Sequence, residues 1–317
     1  MFLTNFTPRV IDKWRLAYDQ ISKTNPRIIA AYAPMQGMDG PHRDFLGFGG
    51  VLTPVTGFSY MSGYPQRPPI GVGTNYPDYA INPGHTTVAI LAALRHRDLG
   101  GNGQYIELPQ VESVVATLGT AVAEYLANGT VATRGGNRNP IASPHGAFRC
   151  ADDPESVGSP DRWLAIACRS DTDWAVLASV FGEPELATDP RFATLKARKA
   201  NEDELEAIVA RWVAPLRAEE AMERLQARGI AAGVVQNAQD LLERDVHMRD
   251  RKYYQYLPHP ETGLSAYDNV AARLSHTPAS HRAPAPLLGE HTLEVCTEIL
   301  GLDLDETANL LAEGILV

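Results

Sequence analysis

Residues 82–108 read NPGHTTVAILAALRHRDLGGNGQYIEL, and the fold assignment starts here. Asn82-Pro83 is a capping residue followed by proline at the first helical position, and the helix it predicts runs to about His96. Val88, Ile90, Leu91 and Leu94 are nearly continuous along it, the pattern of a buried helix. Gly100-Gly101-Asn102-Gly103 is a turn, and Gln104-Tyr105-Ile106-Glu107-Leu108 is a strand. Upstream, Arg27-Ile28-Ile29-Ala30-Ala31-Tyr32 is a short apolar run of strand length. Downstream, Val111 to Leu126 predicts another helix. Strand, helix, strand, helix in that order is the signature of a parallel α/β sheet.

Working outward, Thr7-Pro8 opens an N-terminal helix in which Val10, Trp14, Ala17, Tyr18 and Ile21 recur at helical spacing until Asn25-Pro26 stops it. The Gly/Pro-rich stretch from Met35 to Pro69 reads as loops around one short helix near Val51 to Tyr60. From Thr130 to Pro160 the composition shifts to Gly, Pro, Asn and Ser, which reads as a domain crossing. Trp163 to Ala167 is then a strand, and Trp174, Leu177 and Phe181 line a helix ended by Gly182. Asn201 with Glu204 resembles a capping box before the apolar stripe Leu205, Ile208, Val209 and Trp212. Ala218 to Arg228 is a helix stopped by Gly229, and Ile230 to Val235 a strand. Two further helices, Glu290 to Leu300 and Asp305 to Ala312, close the chain. The expected organisation is a large domain over residues 1–150, a small α+β domain over 151–240, and a return segment with C-terminal helices of the large domain over 241–317.

The chain has 317 residues, 44% hydrophobic and 21% charged, which is ordinary globular usage with ample apolar material for a core. A net charge of −10 argues against a phosphate-backbone binder, so no nucleic-acid partner is expected. No apolar run approaches membrane-spanning length, and Met1 to Phe6 lacks the features of a signal peptide, so a cytoplasmic, membrane-free protein is expected. Cys150, Cys168 and Cys296 are too few and too scattered for a disulfide framework or a CxxC zinc site, and read as buried small hydrophobes. Nine histidines form no HExxH pair, and no metal is expected. Gly47-Phe48-Gly49-Gly50 and Gly71-Val72-Gly73 lack phosphate-loop spacing, and no GxSxG elbow is present.

One carboxylate stands out. Asp78 lies in Gly73-Thr74-Asn75-Tyr76-Pro77-Asp78-Tyr79, a Gly/Pro turn just ahead of the helix at Asn82. The positive end of that helix favours an anion, and nearby backbone N–H groups can stabilise a developing oxyanion. An ordinary turn aspartate fits the same spacing.

Several blocks in this order resemble family III CoA-transferases, the CaiB/BaiF group that includes formyl-CoA transferase. They are Asn5-Phe6-Thr7-Pro8, Asn25-Pro26-Arg27-Ile28-Ile29, Gly40-Pro41-His42-Arg43-Asp44, and Pro68-Pro69 with Gly73 before Asp78. The most recognisable is Ala89 to Leu94 followed by Gly101-Asn102-Gly103-Gln104-Tyr105-Ile106. Gly136-Asn137-Arg138, Pro144-His145-Gly146, Asp161-Arg162-Trp163 and Arg282 to His291 follow, so the resemblance spans the chain. It implies a Rossmann-like parallel-sheet large domain with a smaller α+β domain, of the interlocked-dimer type.

The resemblance also implies chemistry. Asp78 would attack an acyl-CoA thioester to give a mixed anhydride, and CoA thiolate would then give an aspartyl-CoA thioester that an acceptor acid consumes. Coenzyme A is thereby a substrate, and no prosthetic group is expected. Asn5 and Phe6 match positions lining the CoA adenosine site, and Lys13 falls where an arginine often meets phosphate. His42, Tyr76, Asn137, Arg138 and His145 are candidate pocket residues, with Arg138 able to meet an acceptor carboxylate through two hydrogen bonds. The family's related racemases would place a histidine at Phe48, which offers no base, while an intramolecular transferase would use the same Asp78. The family also opens with a strand-helix stretch before the NFxP block, so the expected partner is a second copy in an interlocked homodimer or another chain that supplies this segment. A catalytically silent subunit that completes such a partner is the non-enzymatic alternative.

Overall fold

The computed structural model describes residues 1–71, 73 and 76–316. The chain divides into two compact units, Met1–Gly146 with Ala167–Leu205 and Ala147–Ile166 with Glu206–Val317.

The first unit is built on a three-stranded parallel sheet, β1 (Phe2–Thr4), β2 (Ile29–Tyr32) and β3 (Gln104–Glu107), in that spatial order. Phe2 pairs with Ala30 and Ile29 with Gln104. The central strand is buried along its whole length, as expected of a strand covered on both faces. Tyr32 pays for its buried hydroxyl by donating to the Leu16 carbonyl at 2.7 Å. Burial, with the Asp19 charge, pushes that phenol up to about 12. Gly103 is required where the chain enters β3, because a Cβ there would sit 2.0 Å from the Ile28 carbonyl oxygen.

The single N-terminal helix expected from periodicity is two helices, α1 (Pro8–Lys13) and α2 (Tyr18–Thr24). Arg15 takes a left-handed conformation between them, with φ of 56°, which costs roughly 1–2 kcal/mol for a residue with a side chain. The helix expected near Val51 to Tyr60 is likewise split into α3 (Gly49–Val55) and α4 (Phe58–Met61) by Gly57 at φ 87°. α5 (Asn82–Asp98) runs as expected. The next predicted helix is broken into α6 (Gln110–Ala116) and α7 (Gly119–Asn128), where the Thr117 hydroxyl returns to the Val114 carbonyl at 2.7 Å. Across the first break the apolar residues still face one core, with Leu16, Ala17, Tyr18 and Ile21 packed on the cluster of Ile11, Ala30 and Tyr32, whereas α7 buries none of its residues.

α5 departs from the buried helix read in its sequence. Ala93 is fully buried, but Val88 and Leu91 are 69% and 58% exposed. The apolar run therefore covers two faces, one on the sheet and one uncovered in the single chain.

Later in this unit Ser170 caps α8 (Asp171–Val180) in a reciprocal capping box with Asp173. α9 (Leu195–Ala200) follows, and its fully buried Arg198 donates to the Ser143 carbonyl at 2.7 Å and pairs with Asp171 at 2.9 Å. The apolar stripe read in the sequence falls on α10 (Glu202–Val213), whose residues after Leu205 belong to the second unit.

The second unit contains the sheet ordered β4 (His145–Arg149), β5 (Trp163–Ala167) and β6 (Ala231–Val234), with α11 (Ala218–Gln226) leading into β6. Leu164, Ile166, Ala221 and Leu225 are buried there. Arg162 is a buried hub: it donates to Asp240 at 2.7 Å and to Glu219, while Arg244 ties Asp153 at 2.5 Å. An antiparallel hairpin, Tyr254–His259 with Gly263–Asp268, was not read from the sequence. Its Pro258 interrupts the pattern that marks a strand. Helical turns over 292–299 and the helix Leu304–Ala312 end the unit.

Among the described residues no helix is long and apolar enough to cross a membrane. No group of three or more His, Cys, Asp or Glu side chains among them is placed to hold a metal ion.

Candidate active site

Asp78 lies in one wide helical turn, Pro77–Ile81, that runs directly into α5. The sequence reading placed it in a turn ahead of a cap at Asn82. Instead Asn82 already has helical dihedrals, and its N–H closes on the Pro77 carbonyl five residues back. Pro83 explains the widening, because it has no N–H to donate and its ring crowds the carbonyl four residues before it. Asp78 therefore sits in the first turn of a continuous helical run.

The Asn82 side chain, freed from capping, organises the neighbourhood. It is buried, accepts from the Ser113 hydroxyl and donates to Gln110 Oε1 at 3.2 Å. Gln110 Nε2 in turn donates to the Ala33 carbonyl at 2.7 Å, just beyond β2. Beneath the turn, Ile81 packs in an apolar cluster with Met35, Leu52 of α3 and Val114 of α6. The turn carrying Asp78 is thus fixed to the end of the central strand by hydrogen bonds and to α3 and α6 by burial.

The carboxylate itself meets α3. The Gly49 N–H, at the first position of that helix, donates to Asp78 Oδ2 at 2.9 Å. Phe48, immediately before this donor, has extended backbone and an exposed ring. Tyr76 is half exposed and its ring lies 6.4 Å from that of Phe58. Asp78 and Tyr76 therefore share one turn facing α3 and α4. Thr74 and Asn75, quoted with Asp78 in the sequence, lie outside the described residues.

The other candidate residues fall in two further groups. Asn5 and Phe6 follow the carboxyl end of β1, and Lys13 is exposed in the last turn of α1. Phe6 meets Trp14 edge to face at 5.3 Å. The loop carrying His42 is joined to this group through Arg43, which pairs with Asp12 at 3.8 Å, and the His42 ring stacks on Phe45 at 4.3 Å. In the third group the His145 ring bonds the Asn137 carbonyl. Arg138 is engaged by Glu202 at 3.6 Å and by Asp203, the two residues that open α10. This segment is anchored toward α4, since the Gly136 N–H donates to the Gly63 carbonyl at 2.8 Å and Arg134 to the Tyr60 carbonyl at 3.0 Å.

Sequence reasoning passed over Gly49, Gln110 and Ser113. The glycine-rich stretch Gly47 to Gly50 lacks phosphate-loop spacing, yet its Gly49 N–H serves the Asp78 carboxylate. Chemically, the arrangement offers a partly buried carboxylate with one oxygen held by a backbone donor and, among the described residues, no side-chain base bonded to it, which would suit attack on an already activated acyl group.

The family model described as CoA-transferase family III matches residues 1–292. A succinyl-CoA–D-citramalate CoA-transferase from Chloroflexus aurantiacus is 33% identical over 316 residues, covering 100% of this chain and 76% of that protein. The beta subunit of a succinyl-CoA–L-malate CoA-transferase from the same organism is 35% identical over 308 residues, covering 96% of this chain and 73% of its own. The crystal structure of a CaiB/BaiF family protein from Brucella suis superimposes with a TM-score of 0.82 at 25% identity, covering 94% of this chain and 74% of that one.

Proposed function

The chain belongs to CoA-transferase family III, and from that premise we propose that Asp78 is the covalent nucleophile of CoA exchange between an acyl-CoA thioester and a free carboxylic acid. The observation that carries the reading is the Asp78 carboxylate anchored through Oδ2 to the Gly49 N–H at 2.9 Å.

The cycle needs no proton donor or acceptor. An Asp78 oxygen attacks the thioester carbonyl carbon, CoA leaves as thiolate, and a mixed anhydride remains. The thiolate then attacks the aspartyl carbonyl carbon and expels the donor acid as carboxylate, leaving aspartyl-CoA. The acceptor carboxylate attacks that thioester, again releasing thiolate, which takes the acceptor acyl group and returns Asp78 to its carboxylate. When the aspartyl carbonyl goes tetrahedral, the Gly49 N–H is the donor for the charge gathering on its oxygen. The bonds broken and formed are of similar strength, so positioning by the Asn82 and Ile81 anchors governs the rate.

Two relatives named as succinyl-CoA transferases support an acid acceptor of small size. The beta-subunit relative and the uncovered Val88 and Leu91 of α5 favour association with a second chain, either another copy or a paralogous subunit. Asn5, Phe6 and Lys13 are the proposed CoA nucleotide contacts, and Tyr76, His42, Asn137, Arg138 and His145 the proposed surroundings of the acids.

Incubation with a panel of acyl-CoA donors followed by hydroxylamine tests the reading. A hydroxamate mapped to Asp78 and absent from Asp78→Asn is the expected result. A hydroxamate elsewhere, or none with any donor, would remove Asp78 as nucleophile.

A further inference from the structure

α1 ends in a backbone turn that glycine suits best. The Leu16 N–H closes on the Ile11 carbonyl at 3.0 Å and the Arg15 N–H on that of Asp12 at 3.1 Å, while Leu16 packs against Ile11. This is the Schellman helix ending, whose left-handed position is usually glycine. Other helices of this chain follow the rule, with positive φ at Gly100 after α5, Gly182 after α8, Gly229 after α11 and Gly314 after Leu304–Ala312. At Arg15 the same position, φ 56°, carries the largest cationic side chain. Local backbone stability favours neither arginine there nor Lys252 at φ 50°, so what distinguishes Arg15 is its surroundings.

Its surroundings point to an anionic, ring-bearing ligand. Among the described residues no carboxylate pairs with Arg15, and the adjacent Asp12 is paired with Arg43. Lys13 is exposed two residues earlier. Phe6, which follows the carboxyl end of β1, and Trp14, between the two cations, are half exposed and meet edge to face. Outside the carboxyl ends of parallel strands is where α/β sheets bind nucleotides. Aromatic faces accept a purine, and a guanidinium meets a phosphate through two parallel hydrogen bonds.

We infer that Arg15 is a phosphate-binding residue for the nucleotide end of coenzyme A, acting with Lys13 beside the Phe6–Trp14 pair. The inference rests on the CoA-transferase reading for the identity of the ligand but not on Asp78. It adds a contact at a position whose backbone conformation would select glycine.

Direct titration of the full chain with coenzyme A and with 3′-dephospho-CoA tests it, alongside thermal melts. Arg15→Gly relieves the backbone, so its melting temperature stays equal to or above that of the unsubstituted chain, while its Kd for coenzyme A rises about ten-fold, the worth of one charge-assisted hydrogen bond. Arg15→Asn, which tolerates the left-handed region, shows the same loss, and Arg15→Lys recovers most of the affinity. A smaller loss with 3′-dephospho-CoA places the contact on the 3′-phosphate, and an equal loss places it on the pyrophosphate. Lys252, at the same kind of helix ending in the second unit with φ 50°, is the control: Lys252→Gly leaves the Kd unchanged. An unchanged Kd in both Arg15→Gly and Arg15→Asn overturns the inference, as does an equal loss in Lys252→Gly or no binding of coenzyme A by the unsubstituted chain. An Arg15 effect on Kd without any aspartyl adduct would overturn the Asp78 reading and leave this one standing.

Discussion

The Gly49 N–H donates to Asp78 Oδ2 at 2.9 Å, joining residues 29 positions apart and binding the start of one helix to the first turn of another. The donor occupies the first position of α3, where proline is tolerated because its N–H has no partner within the helix. Gly49→Pro therefore removes the hydrogen bond while keeping a helix start. Formation of the aspartyl adduct, followed by rapid-quench mass analysis, is expected to slow about 10²-fold, the usual worth of one oxyanion donor. Phe48 is already extended, so the residue before the new proline is not strained.

Asn82 holds the Asp78 turn through Ser113 and Gln110, and none of these groups faces water freely. Asn82→Ala takes the donor from Gln110 Oε1 and one of two acceptors from the Ser113 hydroxyl, which keeps the Gln110 carbonyl at 2.9 Å, and is expected to cost about 1–2 kcal/mol, read by denaturant titration. Adduct formation should slow with it, because the turn loses its tie to β2. Ser113→Ala removes one partner only and should show the smaller loss in both measurements.

In the second unit, burial pushes the Asp240 carboxyl up, but the Arg162 hydrogen bond, the Asn237 N–H and the charges of Arg162 and Arg244 outweigh it and hold the group below the usual carboxylate range. A carboxyl depressed in the folded state contributes stability above its unfolded pKa of about 3.9, and that contribution fades as pH falls through the folded value. Asp240→Asn leaves Arg162, itself 4% exposed, without its buried counter-charge. The expected loss at pH 7 is about 3–5 kcal/mol. Thermal melts should show the gap between the two proteins narrowing below about pH 3–4.

Cys150, Cys168 and Cys296 are all free and buried. Burial, with the Glu219 charge, pushes the Cys150 thiol up to about 11, and burial with Asp173 pushes Cys168 up to about 12. Neither thiol should be alkylated in the folded protein at pH 8, and both should react after unfolding. Native labelling with retained activity would show local opening, of the first unit if at Cys168 and of the second if at Cys150.

Elements marked by local signals were legible in the sequence. Ile29 to Tyr32 and Gln104 to Glu107 are short apolar or alternating runs bounded by turns, and Asn82 to Asp98 has uninterrupted helical spacing. The breaks at Arg15 and at Thr117 were not legible, because the apolar period carries across them and neither position holds the glycine that usually marks a stop. Asn82 misled for a physical reason: Asn-Pro reads as a cap, but tertiary partners 28 and 31 residues away claimed the side chain. Asp78 stood out through its place before a helix and through the family resemblance. Its Gly49 donor did not, since a long-range hydrogen bond leaves no periodicity. The exposed face of α5 was missed because apolar composition alone does not tell a core from an interface.

The central claim is that an Asp78 oxygen enters and leaves the acyl group in every cycle. The direct measurement is turnover with an acceptor acid whose carboxylate carries heavy oxygen, followed by mass analysis of the peptide bearing Asp78. The account predicts one heavy oxygen on the Asp78 carboxylate after a single turnover, rising toward two with further cycles, because the acceptor oxygen that bridges the second anhydride stays with the aspartate when thiolate takes the acyl group. Turnover that leaves the Asp78 peptide unlabelled, with the heavy oxygen confined to the product acid and its thioester, would contradict it.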